Sequence, residues 1–241
     1  MAIFSAFVTL LLLTITRDRS SHLLWQKDRE DWLLDMSGLL IQGVVIPALQ
    51  LLLVYQLYQW LLPAWKGCLL LPSGLGFLLS FVLVDYLYYW NHRLLHHRLW
   101  PWHQVHHTVT QMDVLGTSRN TLWSSFLILY LWIHPLFLLL LQNPTGYILG
   151  VTLTAILDLW RHSAIAPDPQ GLLYRWLSPC LVLPQDHAWH HAQIQGCNYG
   201  ANLKLWDQLH GTYYECDRAP ETLGMETNLT LAQKLFWPFQ G

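Results

Sequence analysis

Histidine is the residue type whose placement in this chain could do chemistry. Three short runs hold nine of the 13 histidines: HRLLHH at His92, His96 and His97, HQVHH at His103, His106 and His107, and HAWHH at His187, His190 and His191. Neutral imidazole suits Fe, Zn, Cu and Ni, so ligand type leaves the metal open. A structural zinc needs only four ligands, and the number of clustered histidines therefore argues for more than one ion. On a helix, residues three and four apart share a face. His92 with His96, His103 with His106 and His107, and His187 with His190 and His191 are thus predicted to present imidazoles in one direction. Any one such run is matched as well by a solvated interfacial helix; three together point to a polynuclear metal site. Asp85 lies seven residues before His92, on the same helix face. An acid near a bilayer interior needs a partner, and the second nitrogen of a ligand histidine is the natural one, with Arg93 the alternative. His134, just before Pro135 in an apolar run, reads as a packing residue. His22, in a charged loop, needs no special role, and Tyr86, Tyr88, Tyr89, Trp90, Trp100 and Trp102 are what a membrane interface attracts.

The elements that must position these histidines are membrane helices. The 241 residues are 53% hydrophobic and only 12% charged, with 14 Trp, which is too apolar for an ordinary soluble domain. Mean hydropathy is +0.27. Apolar runs at Ile3 to Ile15, Met36 to Leu62, Leu69 to Trp90, Leu122 to Leu141 and Pro144 to Leu159 predict an all-α integral membrane bundle of four to five transmembrane helices. A histidine-rich helical cap completes it. The first run is short and lacks a basic flank or a small-residue cleavage site, so it reads as an uncleaved anchor. Pro47 predicts a kink or a division in the second run. Residues 1–35 read as anchor plus charged loop, and 36–241 as one catalytic domain. With five crossings, 12 of the 13 Lys and Arg, all but Lys66, fall on one side, which predicts that side to be cytoplasmic. The fourth and fifth runs form a hairpin that returns the chain to the face of the first two histidine runs. A net charge of −2 offers no basic surface for nucleic acid, and Cys68, Cys180, Cys197 and Cys216 form no CxxC pair.

The run DYLYYWNHRLLHHRLWPWHQVHH resembles the first two histidine boxes of the fatty acid hydroxylase/sterol desaturase superfamily. DHAWHHAQIQGCNYGANLKLWDQLHGTY resembles its last box with the following NYG and WD elements. The resemblance covers Asp85 to Tyr213 and includes Arg119 and the pair His162 and Ser163. It implies a membrane-embedded helical core under a cytosolic cap that holds a di-iron centre, with zinc possible in an overexpressed preparation. By position, His92, His96, His103, His106, His107, His162, His187, His190 and His191 are the implied ligands. His97 is ambiguous, because the first box varies in length across relatives. Asp158 stands where some relatives carry a histidine, as ligand, as base behind a ligand, or with no metal role. Asn198 and Asp207 match polar positions of the motif and are candidate partners behind the ligands, and His210, in place of Phe, reads as surface variation. The implied activity is O2-dependent hydroxylation of a lipid that enters from the bilayer, with desaturation the alternative. Electrons would come from a separate cytochrome b5-like or ferredoxin donor, in a bacterial inner membrane or the endoplasmic reticulum. A zinc-binding membrane protein or metal transporter is the reading from another class. A transporter places ligands along a midplane path, whereas here they gather at one interface.

Overall fold

A computed structural model describes residues 1–17, 21–192, 196–216 and 218–239. Arg19, counted among the basic residues above, lies outside the described residues. Among the described residues all regular structure is helical. Helix α1 is Ala2–Thr16, α2 runs through Arg29–Leu61, and α3 through Ser73–His97. A 3-10 stretch at Leu122–Phe126 leads into α4, Tyr130–Leu140, and α5 is Thr145–Arg161. Four short helices follow: α6 at Leu172–Leu177, α7 at Pro184–His190, α8 at Leu205–His210 and α9 at Leu231–Phe236.

Among the described residues, three segments are long and apolar enough to cross a membrane: Arg29–Leu61, Ser73–His97 and Leu122–Leu140. The other two expected runs form α1, of 15 residues, and α5, of 17. At a rise of about 1.5 Å per residue α1 falls short of a hydrocarbon layer of ~30 Å, whereas α5, at about 26 Å, sits at the short end of the spanning range and returns the chain to the histidine face. Helix α2 starts seven residues before the expected Met36, because the Asp28 carboxylate caps it by accepting the Asp31 N–H at 2.7 Å. It passes Pro47 undivided. Wide turns at Ile41–Val45 and Gln50–Val54 flank the proline, closed by Ile46 N–H to Ile41 O and Tyr55 N–H to Gln50 O. These i to i−5 bonds absorb the missing proline donor. Leu51, Leu52, Leu53 and Trp60 of this helix are exposed, an apolar surface suited to lipid.

Close approach of α5 to α3 sets the depth of the site. A side chain at Gly146 would strike the Ser73 carbonyl, and one at Gly150 would strike the Ser80 hydroxyl. Small residues spaced by four thus let the two backbones meet, as helices in lipid commonly do. Ser80 then donates to the Tyr147 carbonyl at 3.0 Å, and Val84, Leu141 and Tyr147 form a core around the contact. Helix α1 covers α5 through Leu10 and Leu159, joined by Val114 and Leu115. Because α5 runs alongside α3, the end of α5 delivers His162 beside the histidines that follow α3.

Candidate metal centre

The histidines converge into two buried groups. His92, His96, His103, His107 and His190 form one, and His106, His162, His187 and His191 the other; in each, the candidate ligand nitrogens lie within 4.8 Å of one another. His92 and His96 reach the first group from adjacent turns of α3. His97, the next residue round the helix, is exposed and belongs to neither group. The second box is not a single helix. Pro101 opens a one-turn helix at Trp100–His103, and a 3-10 turn follows at His106–Thr108. Thr108 folds its hydroxyl back onto the Val105 carbonyl at 2.8 Å as the chain leaves extended. His106 and His107 consequently diverge, one to each group. On α7 the same division recurs, because His187 and its i+4 partner His191 enter the group of four while His190 crosses to the five. A common direction for all the histidines of a box is therefore corrected to a split between neighbours.

Backbone carbonyls set the ring orientations. The Nδ1 atoms of His92, His106, His162 and His190 bond to the carbonyls of Tyr199 (2.8 Å), Arg119 (3.1 Å), Asp158 (2.9 Å) and Cys197 (2.8 Å). A carbonyl only accepts, so each of these rings carries its proton on Nδ1 and turns a lone pair outward from Nε2. His106 Nε2 and His162 Nε2 face each other at 3.4 Å. With both protons committed, neither nitrogen can donate to the other; a cation between them resolves the opposition. Burial lowers the His106 pKa to about 3, with the neighbouring His162 the next cause, and lowers that of His190 to about 4. His103, His107, His187 and His191 are pushed well below the ordinary histidine value, again by burial first. Neutral rings with available lone pairs are what metal binding requires. His107 Nε2, buried and without a hydrogen-bond partner among the described residues, points the same way. The donor set fits transition-metal ions.

The carboxylates act at one remove. Asp85 does not touch a histidine. It lies about 10 Å along the helix from His92 at the usual rise, and its oxygens accept from Asn202 N–H (2.8 Å), Leu203 N–H (3.1 Å) and Trp206 Nε1–H (2.7 Å). Asp207 holds the same loop from its other end, accepting from Tyr199 N–H at 2.8 Å and Gly200 N–H at 2.7 Å. Both acids thus fix the loop whose Tyr199 carbonyl orients His92. Asn198, at φ 54°, bonds through its amide to Asp186 O and to Tyr214 N–H and O, which places Cys197 O against His190. Left-handed backbone is a conformation asparagine tolerates. Asp158 pairs with Arg161 at 2.7 Å and belongs to neither group; its backbone carbonyl accepts from His162 Nδ1 at 2.9 Å and its carboxylate lies 3.5 Å from the same nitrogen, behind the ring. His210 is half-buried between Tyr89 and Trp90 with its Nε2 3.3 Å from Tyr86 OH, so it is an interior packing position rather than surface variation. His134 bonds to Tyr147 OH at 2.9 Å, away from both groups.

An ion cluster that sequence reading did not identify supports the second box. Arg119 pairs with Asp35 at 2.6 Å and with Asp31, while Lys27 pairs with Asp35 and, at 2.8 Å, with Asp113. Arg119 is thereby locked, and its carbonyl holds His106. A cavity of about 120 Å³ lies against the histidines, lined among others by Tyr88, Asn120, Tyr130, Arg161, His106 and His162.

The fatty acid hydroxylase family model matches residues 77–212. The chain is 30% identical over 158 residues to the ornithine lipid hydroxylase of Rhizobium tropici, covering 63% of this chain and 45% of that protein. It is 30% identical over 151 residues to the alkylglycerol monooxygenase of Danio rerio, covering 60% and 30%. Over 151 residues it is 25% identical to the very-long-chain aldehyde decarbonylase of Arabidopsis thaliana, covering 60% and 24%. The chain spans less than half the length of these relatives. No solved structure matches.

Proposed function

This chain belongs to the fatty acid hydroxylase family, and from that premise we propose that it is a membrane-bound di-iron oxygenase that hydroxylates a C–H bond of a lipid. The observation that carries the reading is the opposition of His106 Nε2 and His162 Nε2 with both Nδ1 protons already committed to carbonyls. One ion would be held by His92, His96, His103, His107 and His190, and the other by His106, His162, His187 and His191. Bound there, two irons supply O2 activation: with two electrons and two protons, one oxygen atom enters the C–H bond as a hydroxyl and the other leaves as water. The chain's own groups do the positioning. Carbonyls of Tyr199, Arg119, Asp158 and Cys197 keep the ligand lone pairs aimed inward, so no ring must reorient during the reaction. Burial of eight of the nine rings, all but the half-buried His96, limits the access of bulk water to the reacting centre.

Hydroxylation is preferred to desaturation because similar proteins are named as a hydroxylase and a monooxygenase. Those names also support a lipid substrate. Electrons come from a separate cytochrome b5-like or ferredoxin donor, docking on the cytoplasmic side that the Lys and Arg distribution assigns. Residues 36–241 act as the catalytic domain, and 1–35 serve as anchor and loop.

Metal analysis joined to lipid mass spectrometry tests the proposal. Protein purified without oxygen should carry about two irons per chain, and its expression should add one oxygen to a cellular lipid. His106→Ala and His190→Ala remove a ligand from different groups and should each abolish that product. Full hydroxylation by either variant would sink the assignment.

A further inference from the structure

Besides the candidate ligand His187, whose Nδ1 is unpartnered, three buried polar atoms around the cavity beside the histidines have no hydrogen-bond partner among the described residues. They are Asn120 Oδ1, Tyr130 OH and Arg161 Nε. All three residues line that one cavity, together with His92, His103, His106, His162 and His187. Two of the three groups are held in place by their neighbours. Arg161 is fixed by its other nitrogens on Asp158 and the Ala201 carbonyl. Tyr130 is stacked on Tyr88 at 4.7 Å between ring centroids and on His134 at 5.0 Å. Buried polar atoms are nearly always paired, so a trio left open at a candidate reaction site is arranged for something that binds there.

The chemistry of the trio specifies the ligand. Asn120 offers an acceptor, Arg161 Nε a donor, and Tyr130 either. A hydroxyl or an amide satisfies both kinds at once, whereas a hydrocarbon segment satisfies none and would leave all three desolvated.

We propose that this cavity binds a hydroxyl- or amide-bearing part of the lipid substrate through Asn120, Tyr130 and Arg161, so that the oxidised bond lies within a few atoms of that group. The proposal rests on the oxygenase reading and narrows it. The tail's middle and end carbons are not the target; the headgroup or the carbons next to it are.

Tandem mass spectrometry of lipid extracts tests this, comparing cells that express the chain with cells that express His190→Ala. The expected result is a box-dependent lipid whose added oxygen maps to the headgroup or to the carbons adjoining it. An added oxygen at mid-tail or tail-end overturns this proposal and leaves the oxygenase reading intact. Absence of any box-dependent oxidised lipid overturns the oxygenase reading, and this proposal with it. Tyr130→Phe deletes one oxygen and keeps the stacked ring, and Asn120→Leu removes the amide. Each should lower the product about tenfold, the usual effect of losing one buried hydrogen bond, while iron content stays at the level of the unaltered protein. Undiminished product in both variants overturns the assignment of these residues.

Discussion

Replacing Asp207 by Asn should loosen the loop that orients His92. The buried carboxylate accepts three hydrogen bonds, from Tyr199 N–H at 2.8 Å and Thr212 Oγ1 at 2.7 Å on one oxygen and from Gly200 N–H at 2.7 Å on the other. An amide keeps only one acceptor atom. Placed to preserve the Tyr199 and Thr212 bonds, it sets an NH2 against the Gly200 N–H, losing a charge-assisted bond and stranding a buried donor. Those losses sum to about 3–5 kcal/mol. Burial already raises the Asp207 pKa above the usual carboxylate range, so removing the charge recovers part of a desolvation cost. The net expectation is a loss of about 2–3 kcal/mol, equivalent to ~5–10 °C in melting temperature for a chain of this size. Because the Tyr199 carbonyl holds His92 Nδ1, metal should be lost first from the group of five. Thermal unfolding in detergent, followed by tryptophan fluorescence alongside metal analysis, reads both effects. Thr212→Val is the graded control. It removes the hydroxyl bonded to Asp207 and to Tyr89 but leaves both loop N–H bonds in place, and should cost about 1–2 kcal/mol. If Asp207→Asn melts with the unaltered protein and keeps its full metal, the loop is not held as described.

Acidification of chelator-treated protein should destabilise it. Burial lowers His106 to about 3 and His190 to about 4, while an unfolded histidine titrates near 6.5, so below that pH the unfolded chain binds more protons. Stability is then present above about pH 6.5 and falls as the pH drops toward 4, by roughly 2 kcal/mol per ring at pH 5. Melting temperatures at pH 7.5 and 5 measure it, and a rise on acidification would contradict the burial of neutral rings. Gly150→Leu should separate α5 from α3 by driving a side chain into Ser80 and Phe77, at a cost of about 3 kcal/mol or more. Gly74→Ala, which meets nothing within 4 Å, should be close to neutral, and equal effects of the two would refute the packing. In a background lacking the four native cysteines, a cysteine at Thr145 should react with an impermeant thiol reagent from the extracytoplasmic side, and one at Gln170 only from the cytoplasm. The reverse pattern would invert the orientation drawn from Lys and Arg.

The clustering of the histidines was legible because a side chain that could bind metal declares itself by type, and boxes at helical spacing bring such side chains together. His97 was not separable from His96 on that basis, since which of two adjacent residues faces inward depends on the phase in which α3 meets the loop at Tyr199. The partners behind the rings were hidden for a different reason. Carbonyls of Tyr199, Arg119, Asp158 and Cys197 do this work, and a backbone carbonyl carries no residue identity. Asp85 therefore looked like a histidine partner when it is a loop partner. Hydropathy placed the start of α2 too late because Asp31 and Asp35 read as loop charges; paired with Arg119 and Lys27, they lie on the helix. The α5 to α3 contact was readable in principle, in the Gly146 and Gly150 spacing.

The two histidine doublets, His106 with His107 and His190 with His191, each send one ring to either group, with ring centroids 5.5 Å apart in both doublets. The interval between the groups is therefore spanned twice by a single peptide linkage rather than by distant helices. Bond lengths and angles do not stretch as a bundle breathes in a fluid bilayer. The chain in effect carries a covalent caliper, one that keeps its gauge when lipid thickness, tilt or substrate traffic shifts the spans around it.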